Sequence, residues 1–305
     1  MINEKQWFRK ASGGEGEIFC RLWADDKPKA VLQIAHGMAE HSERYSEFAN
    51  FLAENGFAVC MEDHAGHGPH AKQLGFFAEK DGWASVLNDM HALSDEVSVM
   101  FPEKPVFLMG HSMGSFLSRS YITRWGNTLS GCILSGTMGP NPILGVAKAL
   151  ASITAAFKGK RATAKLLAKI TGSANSGKFK NEPHEFAWLS TDTAEVQKYE
   201  DDPLCGFPFT AGAYLDMFTG VLEISAADWA GKVPKTLPLY IYSGDNDPVG
   251  DYGAGVKKVY ESLKADGVED LELKLYPDGR HEMHNEVNKK EVYTDVLNWL
   301  NGHIE

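Results

Sequence analysis

Short apolar runs recur along the chain, each bounded by Gly, Pro or a charged residue. Several are continuously apolar and rich in β-branched residues, which is typical of strands buried on both faces of a sheet. The runs are EIFCRLWA from Glu17, KAVLQIAH from Lys29, FAVCM from Phe57, PVFLMGH from Pro105, GCILSG from Gly131, LPLYIYSG from Leu237 and LELKLY from Leu271. We predict that these seven runs are the strands of one sheet.

Helical patterns lie between the strands. The segment GWASVLNDMHALSDEVSVMF repeats apolar residues every three or four positions, and ERYSEFANFLAENGF does so until Gly56, which is a typical residue just after a helix end. Strands that alternate with helices predict an α/β fold, with a mostly parallel sheet flanked by helices. No helical pattern separates the first two runs, from Glu17 and Lys29, so we expect these two strands to form an antiparallel edge.

The alternation stops after Thr137. Between Pro142 and about Trp229 only helical periodicity is found, as in the spacing of Ile143, Val146, Leu150, Ile153 and Phe157. The stretch GSANSGKFKN from Gly172 is typical of a flexible loop. We therefore predict a core domain formed by residues 1–137 and 230–305, with a helical insertion over residues 138–229.

Composition narrows the function classes. The 305 residues carry a formal net charge of -11, whereas a nucleic-acid-binding protein would be basic. No run of eighteen apolar residues predicts a membrane span, and MINEKQWFRK lacks the apolar core of a signal peptide. The cysteines, Cys20, Cys60, Cys132 and Cys205, are scattered and form no CxxC pair. This usage favours free thiols and a cytoplasmic location.

The first half of the helical insertion, before Glu182, is basic, unlike the rest of the chain. No Asp or Glu separates its eight cationic residues, which are Lys148, Lys158, Lys160, Arg161, Lys165, Lys169, Lys178 and Lys180. A basic amphipathic helix is typical of transient contact with a membrane surface, and hence of a peripheral location. The alternative interpretation is a solvated helix face, which charge runs usually form.

Residues 108–116, LMGHSMGSF, place Ser112 between an apolar strand and a helical pattern. The GxSxG pattern alone is weak evidence, but strand, tight turn and helix are the context of a nucleophile elbow. Gly110 and Gly114, two residues before and after Ser112, let the strand and the helix approach closely. We therefore predict that Ser112 is a catalytic nucleophile.

A serine hydroxyl needs a base to accept its proton and an acid to orient that base. On such a sheet the acid and then the base follow the serine, each in a loop after a later strand. For the base, YPDGRHEMHNE offers His281, with His284 as the rival. For the acid, LPLYIYSGDNDPVG offers Asp247, with Asp245 as the rival. We predict Asp247 and His281.

Two backbone N–H groups should form the oxyanion hole. One belongs to Met113, the residue after the nucleophile, and the other to Met38 in the loop HGMAEH. A separate histidine-rich loop, MEDHAGHGPH, brings His64, His67 and His70 near Asp63 and raises the alternative of a metal site. Its glycines and proline disfavour a helix that would align the imidazoles, so a structural turn is favoured and no metal is predicted.

Five segments together resemble the α/β-hydrolase superfamily, and within it the group of monoacylglycerol lipases, lysophospholipases and S33 serine peptidases. These segments are HGMAEHSERY from His36, DHAGHG from Asp63, GHSMGS from Gly110, SGDNDPVG from Ser243 and GRHEMHNE from Gly279. The resemblance implies the same triad and oxyanion donors, and implies that the insertion is a helical cap over an apolar acyl tunnel that touches the membrane. The chain departs from the pattern at Ser115, His64 and Ala65, near the floor of the active site, which leaves the substrate subclass open.

The expected reaction is therefore hydrolysis of a carboxylic ester through an acyl-enzyme, without a cofactor. The expected substrate is a single-chain lipid, such as a monoacylglycerol or a lysophospholipid. Candidate substrate contacts are Gly37, His111, Ile143, Leu144, Phe207, Phe209, Tyr214 and Phe218, although each aromatic residue among them could equally belong to the core.

Three alternatives remain open at the level of sequence. A short-chain esterase would act on small soluble esters. An S33-type aminopeptidase would need an acid for the substrate amine, and Glu182, Glu185 and Asp216 are the candidates. A binding protein with this fold would need no intact triad.

Overall fold

The computed structural model describes residues 2–14 and 16–304 and contains one eight-stranded sheet. The strands are β1 (Asn3–Lys10), β2 (Glu17–Ala24), β3 (Ala30–Ala35), β4 (Phe57–Glu62), β5 (Val106–His111), β6 (Gly131–Ser135), β7 (Leu239–Gly244) and β8 (Leu271–Tyr276). Their order is β1-β2-β4-β3-β5-β6-β7-β8, and all pairs from β4 to β8 are parallel. The predicted α/β-hydrolase fold class is confirmed.

The prediction for the edge of the sheet was wrong. The strand from Glu17 does not pair with the strand from Lys29; β2 instead pairs antiparallel with β1 on one side and with β4 on the other. The missed strand β1 has the sequence NEKQWFRK, and most of its residues are exposed. Because an exposed edge strand needs no apolar run, the hydrophobic pattern did not reveal it.

Helices cover both faces of the sheet. They are α1 (Ser46–Glu54), α2 (Gly82–Met100), α3 (Met113–Trp125), α8 (Ala254–Ala265) and α9 (Lys289–Gly302). One core layer contains side chains of α2, α3 and α8, and the other contains side chains of α1 and α9. The three predicted helices over α1, α2 and α3 are present, and α1 ends before Gly56, whose φ is +86°.

Between β6 and β7 the named elements are helices: α4 (Ile143–Lys158), α5 (Lys165–Asn175), α6 (Thr193–Asp201) and α7 (Ala211–Glu223). The predicted flexible loop from Gly172 begins inside α5, so that prediction was wrong for residues 172–175. Helix α4 packs on α7, and α7 packs on α2 and α3 of the core. In the part of the chain described, no helix is both long and apolar enough to cross a membrane.

Candidate active site

Ser112 lies on a sharp turn between β5 and α3. Its φ and ψ are 53° and -119°, which is strained for a residue with a side chain. A Cβ on Gly114 would lie 2.0 Å from the Ala35 carbonyl oxygen, and a Cβ on Gly110 would lie 2.2 Å from that of Gly114. The glycines of GxSxG are therefore required by the close approach of strand and helix. Ser115 fastens the turn, because its hydroxyl donates to the Ser112 carbonyl at 2.6 Å.

Asp247 and His281 come together from the loops after β7 and β8. Nδ1 of His281 donates to Oδ1 of Asp247 at 2.9 Å, and Ser243 and the Val249 amide also donate to that carboxylate. Burial alone would lower the pKa of His281, but the carboxylate of Asp247 outweighs it and the pKa is raised. Burial alone would raise the pKa of Asp247, but His281 outweighs it and the pKa is lowered. This pairing occupies Nδ1 of His281 and leaves Nε2 as the ring nitrogen that could accept a proton.

Nε2 of His281 is buried and has no hydrogen-bond partner among the residues described. Hydrogen bonds of catalytic groups are often incomplete without substrate, so this geometry is compatible with a base. The rival His284 is also buried, but it stacks on Tyr45 at 4.5 Å and neither of its ring nitrogens is paired within the described chain. Burial lowers the pKa of His284 to about 3. The structure therefore pairs the predicted acid with His281 and not with His284.

The rival acid Asp245 shapes the turn instead. Its carboxylate accepts a hydrogen bond from the Asp278 amide at 2.8 Å, on the exposed side of the loop. Asp245 therefore links the two loops that carry Asp247 and His281 without contacting the imidazole.

The predicted oxyanion donors lie at the ends of β3 and β5. Met113 is the first residue of α3, so its N–H has no partner within the helix. Met38 follows Gly37 in the loop after β3. Within the described chain neither amide donates a hydrogen bond to the protein. A helix N-terminus also favours negative charge, so the two amides suit a developing oxyanion.

A buried ionic network joins the loop after β3, which carries Met38, to the loop after β8, which carries His281. The Gly37 amide donates to Glu40 at 2.6 Å, and Arg44 forms an ion pair with Glu40 and two hydrogen bonds, of 2.8 and 2.6 Å, with Glu282. Burial alone would raise the pKa of both carboxyls, but Arg44 outweighs it and lowers the pKa of Glu282 to about 2. Sequence analysis did not assign a role to Glu40, Arg44 or Glu282, although all three lie within the motifs that resemble the superfamily.

Part of the helical insertion is also attached to the loop that carries His281. The amides of His281 and Glu282 donate to the carbonyls of Trp188 and Leu189, at 3.4 and 2.7 Å. The Trp188 ring lies 5.2 Å from the His281 ring. Thr191 donates its amide to Glu286 at 3.0 Å. Trp188 thus covers the candidate base, a position that no sequence pattern indicated.

The structure places the predicted substrate contacts in different environments: some pack in the core, one is exposed and two lie beside the site. Phe207, Phe209, Tyr214 and Phe218 form a row of stacked or tilted rings with centroids 5.5 to 6.1 Å apart. Leu144 is buried in the same core layer, whereas Ile143 is 66% exposed. His111 lies beside the site, with its ring 4.8 Å from that of His281, and Gly37 carries the amide bound by Glu40. The row of rings packs as core in this state.

The histidine-rich loop forms separate contacts. His64 lies 3.2 Å from Glu62, His67 accepts from the Ala39 amide, and the His70 ring packs edge-on against Phe8 and tilted against Phe19. Asp63 accepts from the Ser42 amide. Among the residues described, a group with metal-ligand chemistry occurs elsewhere, at His41, Asp202 and Cys205. His41 and Asp202 already bond to each other at 2.8 Å and connect the helical insertion to the loop after β3.

The acids considered for binding a substrate amine have other partners. Glu182 pairs with Arg280 at 2.6 Å, and Asp216 accepts a hydrogen bond from the Gly82 amide at the start of α2. Glu185 is exposed. Burial raises the pKa of Asp216 to about 6.

Comparison with known proteins gives consistent matches. Residues 26–288 match the family model described as serine aminopeptidase, S33. The monoglyceride lipase homolog of Monkeypox virus is 28% identical over 94% of this chain and 95% of that protein. The monoacylglycerol lipase of Mycolicibacterium smegmatis is 28% identical over 96% of both. A thermostable carboxyl esterase from Bacillus coagulans, solved with glycerol, is 30% identical over all of both chains, with a TM-score of 0.93.

Proposed function

The chain belongs to the serine aminopeptidase S33 family of hydrolases, and from this premise we propose that it hydrolyses the ester bond of monoacylglycerol-type lipids. Relatives that match over nearly its whole length are named monoglyceride or monoacylglycerol lipases. The single observation that carries the mechanism is the Asp247–His281 pair, whose imidazole lies 4.8 Å from the ring of His111, the residue before the strained Ser112.

We assign the steps as follows. Nε2 of His281 takes the proton of Ser112 as Oγ attacks the ester carbonyl, and the amides of Met38 and Met113 bind the oxyanion. Collapse of this intermediate breaks the ester C–O bond, and His281 returns the proton to the leaving alcohol. Water, activated by the same imidazole, then attacks the acyl-enzyme and releases the fatty acid. Asp247 fixes the imidazole tautomer and stabilises the imidazolium.

The first test measures hydrolysis of p-nitrophenyl esters from acetate to palmitate, with Ser112→Ala as the blank. We expect a maximum at medium or long chains, since the aromatic row of the cap offers apolar surface if it parts around an acyl chain. A steep fall beyond butyrate would instead favour a short-chain esterase. Absence of Ser112-dependent turnover and of labelling by a fluorophosphonate would favour a binding protein.

We propose that residues 138–229 form a cap and that its helices α4 and α5 contact a membrane surface. Helix α4 buries Leu144 and Ala151 but exposes a second apolar stripe. The exposed apolar residues of the two helices are Ile143, Val146, Ile153, Phe157, Leu166 and Ile170. Lys158, Lys165 and Lys169 lie beside them and form no ion pair with the residues described. Apolar side chains with flanking lysines suit an anionic lipid surface.

Not every cation of the insertion is available for this contact. Lys160 donates to the Glu79 carbonyl at 2.5 Å, and Arg161 pairs with the Glu79 carboxylate at 2.6 Å. These two residues attach the cap to the core, so the membrane test should leave them unchanged.

Sedimentation with anionic vesicles tests this contact. Replacing Lys158, Lys165 and Lys169 with Gln should weaken binding strongly, because each charge near the surface contributes about 1 kcal/mol. Phe157→Ser should weaken it further, whereas Val99→Ser, at an equally exposed position on α2, should not. Equal binding of all variants, or no binding by the parent protein, would overturn the proposal.

The aminopeptidase reaction receives less support, although the family model carries that name. The candidate acids are occupied by Arg280 and by the start of α2, or are exposed, so none is placed to bind an amine near Ser112. Release of p-nitroaniline from aminoacyl anilides should therefore be negligible beside ester hydrolysis. The cysteines are free thiols, which is compatible with the proposed location in a reducing cytoplasm.

A further inference from the structure

Ala39 has a backbone conformation that needs external support. It follows Met38 in the oxyanion loop, and its φ is +54°, in the left-handed region that residues with a Cβ rarely adopt. Such a conformation persists only where the surroundings impose it. Because the Met38 and Ala39 backbones are continuous, the conformation of Ala39 helps to set the direction of the Met38 N–H.

Three hydrogen bonds hold this residue on both sides. The Ala39 amide donates to Nε2 of His67 at 3.2 Å. The Ala39 carbonyl accepts from the Tyr199 hydroxyl at 3.1 Å and from the Gly206 amide at 3.0 Å. His67 belongs to the core, but Tyr199 lies in the last turn of helix α6 and Gly206 in the loop after it, so both carbonyl donors come from the cap.

The donors are themselves fixed. Nδ1 of His67 donates to the Ala65 carbonyl at 3.1 Å, which leaves Nε2 as the acceptor, and burial keeps the pKa of this imidazole well below its usual range. Tyr199 is buried under the Arg44 guanidinium, 4.7 Å from its ring, and its hydroxyl also accepts from the Gly206 amide. His41 bonds to Asp202 beside them.

We propose that the cap completes the oxyanion hole: Tyr199 and Gly206 hold the Ala39 carbonyl so that the adjacent Met38 N–H points at the reacting oxygen. Tyr199 is thus a positioning residue for catalysis. It acts through the loop and does not need to touch the substrate. The segment from Tyr199 to Gly206 must stay on the core during turnover, whatever α4 and α5 do. This inference rests on the proposed ester hydrolysis.

Tyr199→Phe removes one hydroxyl and tests the proposal. Loss of a hydrogen bond of this kind should lower kcat/KM for a p-nitrophenyl ester about fivefold through kcat, with KM nearly unchanged. The inhibition constant of a trifluoromethyl ketone, which forms an oxyanion on the serine, should rise by the same factor. Tyr121→Phe is the matched control, because its buried hydroxyl bonds to His91 away from the site. It should leave both values unchanged at a similar melting temperature.

The outcomes separate the two proposals. If the parent protein shows no turnover that depends on Ser112, the proposed function fails. If the parent is active but Tyr199→Phe behaves like Tyr121→Phe, or changes KM alone, only the role of Tyr199 fails.

A second variant tests the strain directly. Glycine adopts a positive φ without a side-chain penalty, so Ala39→Gly needs less support from the cap. In the Tyr199→Phe background we expect Ala39→Gly to raise kcat at least twofold above that of Tyr199→Phe alone. A further loss in the double variant would overturn the proposal.

Discussion

The two halves of the cap differ in how they meet the rest of the molecule. Helices α4 and α5 (residues 143–175) bury one side and turn a second apolar stripe outward, with Phe157 88% exposed. The half from Ala187 to Glu223 has no exposed large apolar side chain among the residues described, and it bonds to the loops that carry Met38 and His281. Both halves show similar helical periodicity in the sequence, so the pattern of a helix does not reveal what its apolar face contacts.

The difference indicates that the two halves have different roles. The anchored half, residues 187–223, supports the imidazole through Trp188 and the oxyanion loop through Tyr199 and Gly206. The exposed half, residues 143–175, has few contacts with the catalytic loops. Its apolar stripe is suited to contact with a surface outside the protein. Variants in the anchored half should therefore change catalysis and stability, whereas variants in the exposed half should change binding to vesicles.

The largest effect should come from the histidine that the anchored half covers. His281→Gln removes the base and should lower kcat about 10⁴-fold or more. His284→Phe should keep most of the activity and raise the free energy of unfolding by about 1 kcal/mol, since it removes a buried imidazole with no partner. Steady-state kinetics and urea unfolding measure both; the reverse result in activity would assign the base to His284.

Arg44 tests the buried anchor of the catalytic loops. Arg44→Met leaves Glu40 and Glu282 without their counter-ion and should lower the free energy of unfolding by about 3 kcal/mol. Arg161→Met, which breaks the exposed pair with Glu79, should cost less than about 1 kcal/mol. Equal costs for the two variants, measured by urea unfolding, would show that burial does not distinguish these anchors.

The pH dependence follows from the raised pKa of His281. The base must be neutral to act, so activity should rise with pH through a pKa above 6.5 and at pH 5 should lie more than about 30-fold below the plateau. Stability has the opposite sign: the contribution of His281 is full below its unfolded pKa and disappears as pH rises through the folded value. The contribution of Asp247, whose pKa is lowered, disappears as pH falls through its folded value.

Asp247→Asn checks the origin of that shift. Without the Asp247 carboxylate, the lowering of the His281 pKa by burial is opposed only by the smaller effects of Glu282 and Glu40, and the acid limb should move to lower pH. A rate profile of the variant, measured on the residual activity, shows whether it does; an unchanged limb would mean that another group is responsible.

The same substitution, Gly to Ala, should have the smallest effects, and it should change the stability of the fold in opposite directions in the two halves. Gly206 has a φ of +65°, and a Cβ there would lie 3.1 Å from the Phe186 ring, so Gly206→Ala should destabilise the fold by about 1 to 2 kcal/mol. Gly145 lies in α4 with open space around it, so Gly145→Ala should stabilise it by up to about 1 kcal/mol. Thermal melts compare them, and the same sign for both would contradict the described difference.

The sequence predicted those parts of the candidate site that local motifs carry. GxSxG needs glycines at Gly110 and Gly114 for a local steric reason, and Asp247 and His281 follow strands whose ends meet at one edge of a parallel sheet. The roles of Arg44, Glu282 and Tyr199 could not be predicted, because each depends on a partner 160 or more residues away or across the cap interface. Strand β1 was missed because its pairing, not its hydrophobicity, makes it a strand.

By itself the sequence determined the fold class and the order of the strands from β2 to β8, and it supplied the candidate residues for ester hydrolysis, since period, turn chemistry and motif are local properties of the chain. Only the tertiary structure decided which cations of the insertion bind to the core and which half of the insertion contacts the Ala39 loop. These are contacts between segments far apart in sequence. Packing and burial select them, and no local pattern encodes that selection.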